Sequence, residues 1–147
     1  MVFIISLLAA IAVPTLKQVR LGARSAAVIN DLRIFSAAFQ TYAQEKSNWP
    51  PGDAVPGQFP AGMEGYLNAS NWQNFSPIGG RYTWAPDSLQ QGERYRAVII
   101  ITSVDQNPVS SGRAQLEAID KAMDDGDLET GNFRLGFRNY PIYVIEH

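Results

Sequence analysis

MVFIISLLAAIAVPTL, residues 1–16, carries no charge and runs directly into KQVRLGARSAAVINDLRIFSAAFQTYAQEK, residues 17–46. In the first part the only polar side chains are Ser6 and Thr15, and its Leu, Ile, Val, Phe and Ala are costly to leave in water. A bilayer core requires about 20 apolar residues of helix, so the run is somewhat short to span one alone. Pro14 lies inside it, where the missing N–H and the ring bend a helix at a cost that lipid or packed helices tolerate better than water. After Lys17 the apolar residues become Leu21, Val28, Leu32, Phe35, Phe39 and Tyr42, at intervals of 7, 4, 3, 4 and 3. This is a narrow stripe with coiled-coil period, and it calls for a partner surface. A continuous helix over residues 1–46 would be about 69 Å long at 1.5 Å per residue, more than one small globule covers. Part of it is therefore expected in lipid or against other molecules.

The whole chain, 147 residues with 46% hydrophobic and 18% charged, has the size and composition of one folded domain. Residues 1–46 hold five basic and two acidic side chains, which leaves seven basic against twelve acidic in residues 47–147. An acidic head speaks against nucleic-acid binding. Opposite charges on stalk and head allow a weak, salt-screened attraction between copies. Lys17, Arg20 and Arg24 fall on one helix face and suit lipid phosphates or the acidic residues of a neighbour. Taken alone they would hold the head on the cytoplasmic side, an orientation that a basic leader upstream would reverse. With no cysteine there is neither a disulfide framework nor a thiolate metal site.

Residues 47–80 contain five prolines and six glycines, so regular structure is expected to stop near Trp49. The aromatic residues Trp49, Phe59, Tyr66, Trp72 and Phe75 argue that this long loop is pinned by burial. One helical turn is expected at Met63–Leu67. Strands are expected at Arg81–Trp84 and Arg94–Val104, joined as a hairpin across Pro86–Gly92, and at Asn132–Phe137 and Ile142–Ile145. Between the two pairs, Ala114–Met123 reads as a helix with Leu116, Ile119 and Met123 on one face.

SLLAAIAVPTLKQ, followed by the small-residue, charged helix VRLGARSAAVINDLRIFSAAFQTYAQEKSNWP, resembles the N-terminal helix of type IV pilins and of type II secretion pseudopilins. The resemblance covers Ser6 to Pro50 and rests on a proline placed in an apolar run that then turns amphipathic. Aligned on Pro14, the sequence begins inside a mature pilin helix, downstream of the cleavage glycine, the phenylalanine-type first residue and the glutamate of that family. Either the natural chain starts further upstream or the subunit lacks the peptidase site. The fold that the resemblance implies is α+β: a long N-terminal helix, apolar then amphipathic, packed on a small antiparallel sheet of four strands with a long Pro/Gly/aromatic loop. Residues 1–24 would form the membrane or filament-core half of the helix and residues 25–147 the head. Flexibility is expected from Pro14 to Gly22.

The carboxylates Asp120, Asp124, Asp125, Asp127 and Glu129 crowd one segment. Asp124 and Asp125 lie near a helix C-terminus, where the macrodipole disfavours anions, so something positive should compensate. Lys121, Arg113, Arg134 or a metal would serve. Asp124, Asp125 and Asp127 are the candidate calcium ligands, against the alternative of a solvated Asp-Gly turn. The only histidine is His147, so no Ser-His-Asp arrangement and no catalytic residues are expected. Trp49, Trp72 and Trp84 would suit either a sugar platform or loop packing.

The expected function is structural: a subunit stored as a single pass in the bacterial inner membrane, then polymerised into a pilus or secretion pseudopilus, a helical homo-oligomer in the periplasm or outside the cell. Phe3, Leu7, Leu8, Ile11, Pro14, Leu32, Phe35 and Phe39 are the expected assembly residues. A prepilin peptidase, an inner-membrane platform protein and an assembly ATPase are the partners the resemblance implies. The competing expectation is a membrane-tethered, non-polymerising domain that binds a ligand such as polysaccharide.

Overall fold

The computed structural model describes the backbone of residues 2–147 and the side chains of residues 19–147. Helix α1 (Val2–Lys46) is continuous, includes Pro14, and reaches about 67 Å at 1.5 Å per residue. Residues 19–24 are exposed on every side of the helix, and burial begins at Ser25. Val28, Leu32, Phe35 and Phe39 are then wholly buried and Tyr42 partly so, whereas Leu21 is exposed. The stripe needs no second molecule over this stretch, because the chain's own head covers it.

That cover is a four-stranded antiparallel sheet with strands β1 (Arg81–Gln90), β2 (Glu93–Thr102), β3 (Phe133–Leu135) and β4 (Pro141–Glu146), in the order β1-β2-β4-β3. β1 and β2 form a hairpin in register from Arg81↔Thr102 to Gln90↔Glu93. Its turn is the pair Gln91-Gly92, both at positive φ, as a two-residue hairpin turn with right-twisted strands requires. The hairpin thus closes later than the sequence suggests, and Pro86 lies within β1. It is tolerated there because β1 is an edge strand, where a missing N–H interrupts no inner ladder. Tyr82, Trp84, Ala97, Ile99 and Ile101 meet α1 on one face, and Tyr95, Val98, Ile142 and Val144 form a smaller cluster.

The long loop closes over the end of this core. Trp72 Nε1 donates to the Gln58 carbonyl and Trp84 Nε1 to the Pro50 carbonyl, both at 2.8 Å. Phe35 meets Trp72 and Tyr82 edge-on, with ring centroids 5.0 and 4.8 Å apart. The expected helical turn at Met63–Leu67 is a turn closed by the Leu67 N–H on the Met63 carbonyl. The helix stands further on, at α2 (Ala69–Gln73), because Asn68 caps it: its side chain accepts from the Asn71 N–H at 3.1 Å. Helix α3 (Arg113–Met123) packs against α1 and buries Leu116 and Ile119. β3 is shorter than expected, since Arg138 and Asn139 take left-handed backbone angles in a tight turn into β4.

Candidate functional site

Two regions carry the residues singled out from the sequence: helix α1 and the acidic segment after α3. On α1, the side chains of Phe3, Leu7, Leu8, Ile11 and Pro14 lie outside the described residues. Leu32 and Phe39 are 0% exposed and Phe35 is 1% exposed, packed among Trp72, Tyr82 and Trp84. They are therefore core residues of the head, covered by the chain's own loop and sheet. The apolar side chains that α1 does expose are Val19, Leu21 and Ile34. Leu21 and Ser25 also meet the head from below: Gln115 Nε2 of α3 donates to the Leu21 carbonyl at 3.2 Å. Among the described residues no helix is long and apolar enough to cross a membrane; the apolar run of residues 1–16 falls in the part whose side chains are not described.

The acidic segment folds as a tight loop between α3 and β3. Asp124, the C-cap of α3, accepts from the Asn132 and Phe133 N–H groups through Oδ2. Asp125 accepts from the Asp127 N–H at 3.0 Å through Oδ1 and from the Thr130 hydroxyl through Oδ2. These two donors hold the Asp125 carboxyl below the usual carboxylate range. Asp127 turns away and accepts from the Glu129 N–H at 3.0 Å.

The residue that joins Asp124 and Asp125 is Asp120, not Asp127. One carboxylate oxygen from each of Asp120, Asp124 and Asp125 lies within 4.8 Å of the others. Asp120 is 0% exposed, and neither of its oxygens has a hydrogen-bond partner among the described residues. Burial, and then the charges of Asp125 and Asp124, push it up to about 6. The sequence did carry a sign of this burial: Asp120 follows Leu116 by four residues and so shares the apolar face of α3. Gly131 makes the close approach possible, since its φ is +75° and a Cβ there would overlap the Asp124 carboxylate. The basic residues expected to compensate are engaged elsewhere or unpaired. Arg113 pairs with Glu117 at 2.9 Å and Arg134 with Glu93 at 3.3 Å, and among the described residues no ion pair reaches the three aspartates.

Of the tryptophans, Trp72 and Trp84 are buried in the core, so no three-ring platform forms. Trp49 alone is half-exposed, donates through Nε1 to Glu146, and borders an open groove of about 530 Å³ with Gln44, Arg96 and Ile145.

No protein-family model and no curated protein matches the chain. Among solved structures, the major type IV pilin PilA1 from Clostridium difficile matches with a TM-score of 0.59 at 16% identity. The match covers 88% of this chain and 98% of the pilin. The chain therefore has the fold of a type IV pilin, a long N-terminal helix packed on an antiparallel sheet.

Proposed function

We propose that the chain is a subunit of a type IV pilus-like filament and polymerises through the N-terminal part of α1. The observation that carries this reading is the way α1 leaves the head. Its inner half fills the core from Val28 to Phe39, while residues 19–24 are exposed all round and continue into the uncharged run of residues 1–16. A projecting apolar helix is satisfied either by lipid or by like helices. Before assembly it is held in the bacterial inner membrane as a single pass. In the polymer, identical helices replace the lipid, with Phe3, Leu7, Leu8, Ile11 and Pro14 in the shared bundle. Copies added head-to-tail share a heterologous interface that grows without closing, which suits a fibre. A prepilin peptidase, a platform protein and an assembly ATPase would process and drive it. Whether the fibre is a surface pilus or a secretion pseudopilus, the subunit's part is mechanical.

Because the chain has no cysteine, the thiols of a double variant Val19→Cys/Leu21→Cys are its only ones, and two residues apart on α1 they lie on nearly opposite helix faces, where they do not pair with each other. Oxidising cells that produce this double variant is expected to give a ladder of disulfide-linked copies from sheared surface material, each copy bridging to two neighbours. Monomer alone, with the full chain present in the membrane fraction, overturns the filament reading. The groove beside Trp49 supports a second reading, a tethered domain that binds polysaccharide without polymerising. That reading predicts quenching or enhancement of Trp49 fluorescence by soluble glycans and no ladder.

A further inference from the structure

We propose that the groove beside Trp49 binds a neutral saccharide chain, which crosses the indole of Trp49 from one depression into the next. The larger depression, about 530 Å³, runs between the last turns of α1 and β4, within the span of small-ligand sites, about 300–1,000 Å³. A second, about 250 Å³, adjoins it on the side of Pro50, Pro51 and Pro86 and shares Asn48, Trp49 and Arg96 with the first. An extended ligand therefore stays in contact with the protein on both sides of Trp49. The indole is held ready for it. Its Nε1 donates to Glu146, its ring tilts against that of Trp84 at 5.9 Å between centroids, and Trp84 in turn donates to the Pro50 carbonyl. With the N–H engaged, what the half-exposed side chain offers is ring surface, and little of its freedom is left to lose on binding.

The walls choose the ligand class. Gln40 and Gln44, one helical turn apart on α1, and Asn48 are exposed amides that both donate and accept, and Ser47 adds a hydroxyl. The charges around them are matched: Arg96 pairs with Glu146 at 3.1 Å, and Asp87 with Arg94 at 2.9 Å. Both depressions are thus lined by neutral groups and satisfied pairs. Amides of this kind suit the vicinal hydroxyls of a sugar, and the C–H face of a pyranose ring suits an indole flanked by Ala43 and Ile145. An acidic sugar finds no unpaired cation here. A peptide strand finds no free edge, because β4 lies between β2 and β3. The inference rests on the groove and not on polymerisation. Gln44 stands about 30 Å along α1 from Arg24 at 1.5 Å per residue, clear of the projecting end, so a filament subunit and a tethered domain would carry the site alike.

The test uses the full chain in phosphocholine-detergent micelles, because sugar-headed detergents would compete. Hexasaccharides of glucose, mannose, galactose and N-acetylglucosamine are the neutral probes, and hexagalacturonate is the acidic one. Trp72 and Trp84 are buried, so iodide quenches Trp49 selectively. At least one neutral probe, at millimolar concentration, is expected to protect Trp49 from iodide saturably, with hexagalacturonate binding roughly tenfold more weakly. Gln44→Ala and Asn48→Ala, both at exposed positions, are each expected to weaken that binding about three- to tenfold, one hydrogen bond's share, with the melting temperature unchanged. Full iodide quenching with every neutral probe would overturn the site. Hexagalacturonate binding as tightly as the neutral probes would overturn the ligand class, and undiminished protection in both alanine variants would place the saccharide elsewhere. The cysteine ladder is read independently: a ladder without protection removes the groove and leaves the filament, and protection without a ladder does the reverse.

Discussion

Tyr82 Oη donates a 2.7 Å hydrogen bond to Asp31 Oδ2, joining α1 to the start of β1 between the buried residues Val28 and Phe35. Burial pushes the Asp31 carboxyl above its ordinary value, and the Tyr82 hydroxyl offsets part of that rise. Burial and the Asp31 carboxylate together push Tyr82 far upward. A carboxyl raised on folding adds stability that is fully present below its unfolded value near 3.8 and is lost as pH rises through its folded value. Asp31→Asn keeps an acceptor for Tyr82 and never ionises. Its denaturant midpoint at pH 7.5 is expected to equal or exceed that of the wild type, with the gap closing as the pH is lowered to 4. Tyr82→Phe strips the donor from a half-buried carboxylate and is expected to cost about 1–3 kcal/mol at pH 7.5. A midpoint for Asp31→Asn well below wild type at pH 7.5 would mean that the charged pair contributes more than burial removes.

Phe39 stacks on Trp84 with ring centroids 3.9 Å apart and planes 9° apart, and meets Trp72 edge-on at 5.5 Å. Removing a ring from so closed a site leaves a cavity, and Phe39→Ala is expected to cost about 3–5 kcal/mol of stability. Leu21, exposed on the projecting part of the helix, makes no such contacts. Leu21→Asp is expected to leave the denaturant midpoint within about 0.5 kcal/mol of wild type while reducing the filament recovered from the cell surface. The two variants separate folding from assembly: Phe39→Ala loses filament because the head fails, Leu21→Asp because copies no longer pack. Normal filament yield from Leu21→Asp would remove this part of α1 from the shared interface.

The long helix and the strands were legible because their signals are local. Charge-free and stripe-patterned runs define α1, and the β-branched run Val98–Ile101 defines β2. What covers the stripe was not legible, since Leu32, Phe35 and Phe39 read the same whether a neighbour or the chain's own head lies over them. Trp72 and Trp84 decide it, and they sit far along the chain in sequence. The helical turn at Met63–Leu67 was legible from the spacing, whereas α2 was not, because its start is set by one capping side chain, Asn68. At the acidic segment the residue type was legible and the membership was not. Asp127 is nearer in sequence to Asp125 than Asp120 is, but one turn of helix turns Asp120 inward and the Asp-Gly bend turns Asp127 out.

Gly22 and Gly79 carry opposite expectations. A Cβ on Gly79, at φ +88°, would overlap the backbone carbonyl of Pro108, and neither backbone can yield without breaking the turn in which the Gly80 N–H donates to Asn107. Gly79→Ala is expected to cost about 1–3 kcal/mol in the denaturant midpoint. Around Gly22 nothing lies within 4 Å, and a helix-interior glycine is weaker than alanine by about 0.5–1 kcal/mol. Gly22→Ala should therefore leave the head's midpoint unchanged and slow amide hydrogen exchange across residues 20–26 by roughly two- to fivefold. If Pro14 to Gly22 is where the helix must give way during packing, the same variant yields fewer filaments at equal protein level. Slowed exchange with full filament yield would place the yielding point elsewhere on α1 and leave Gly22 as a local weakness with no part in assembly.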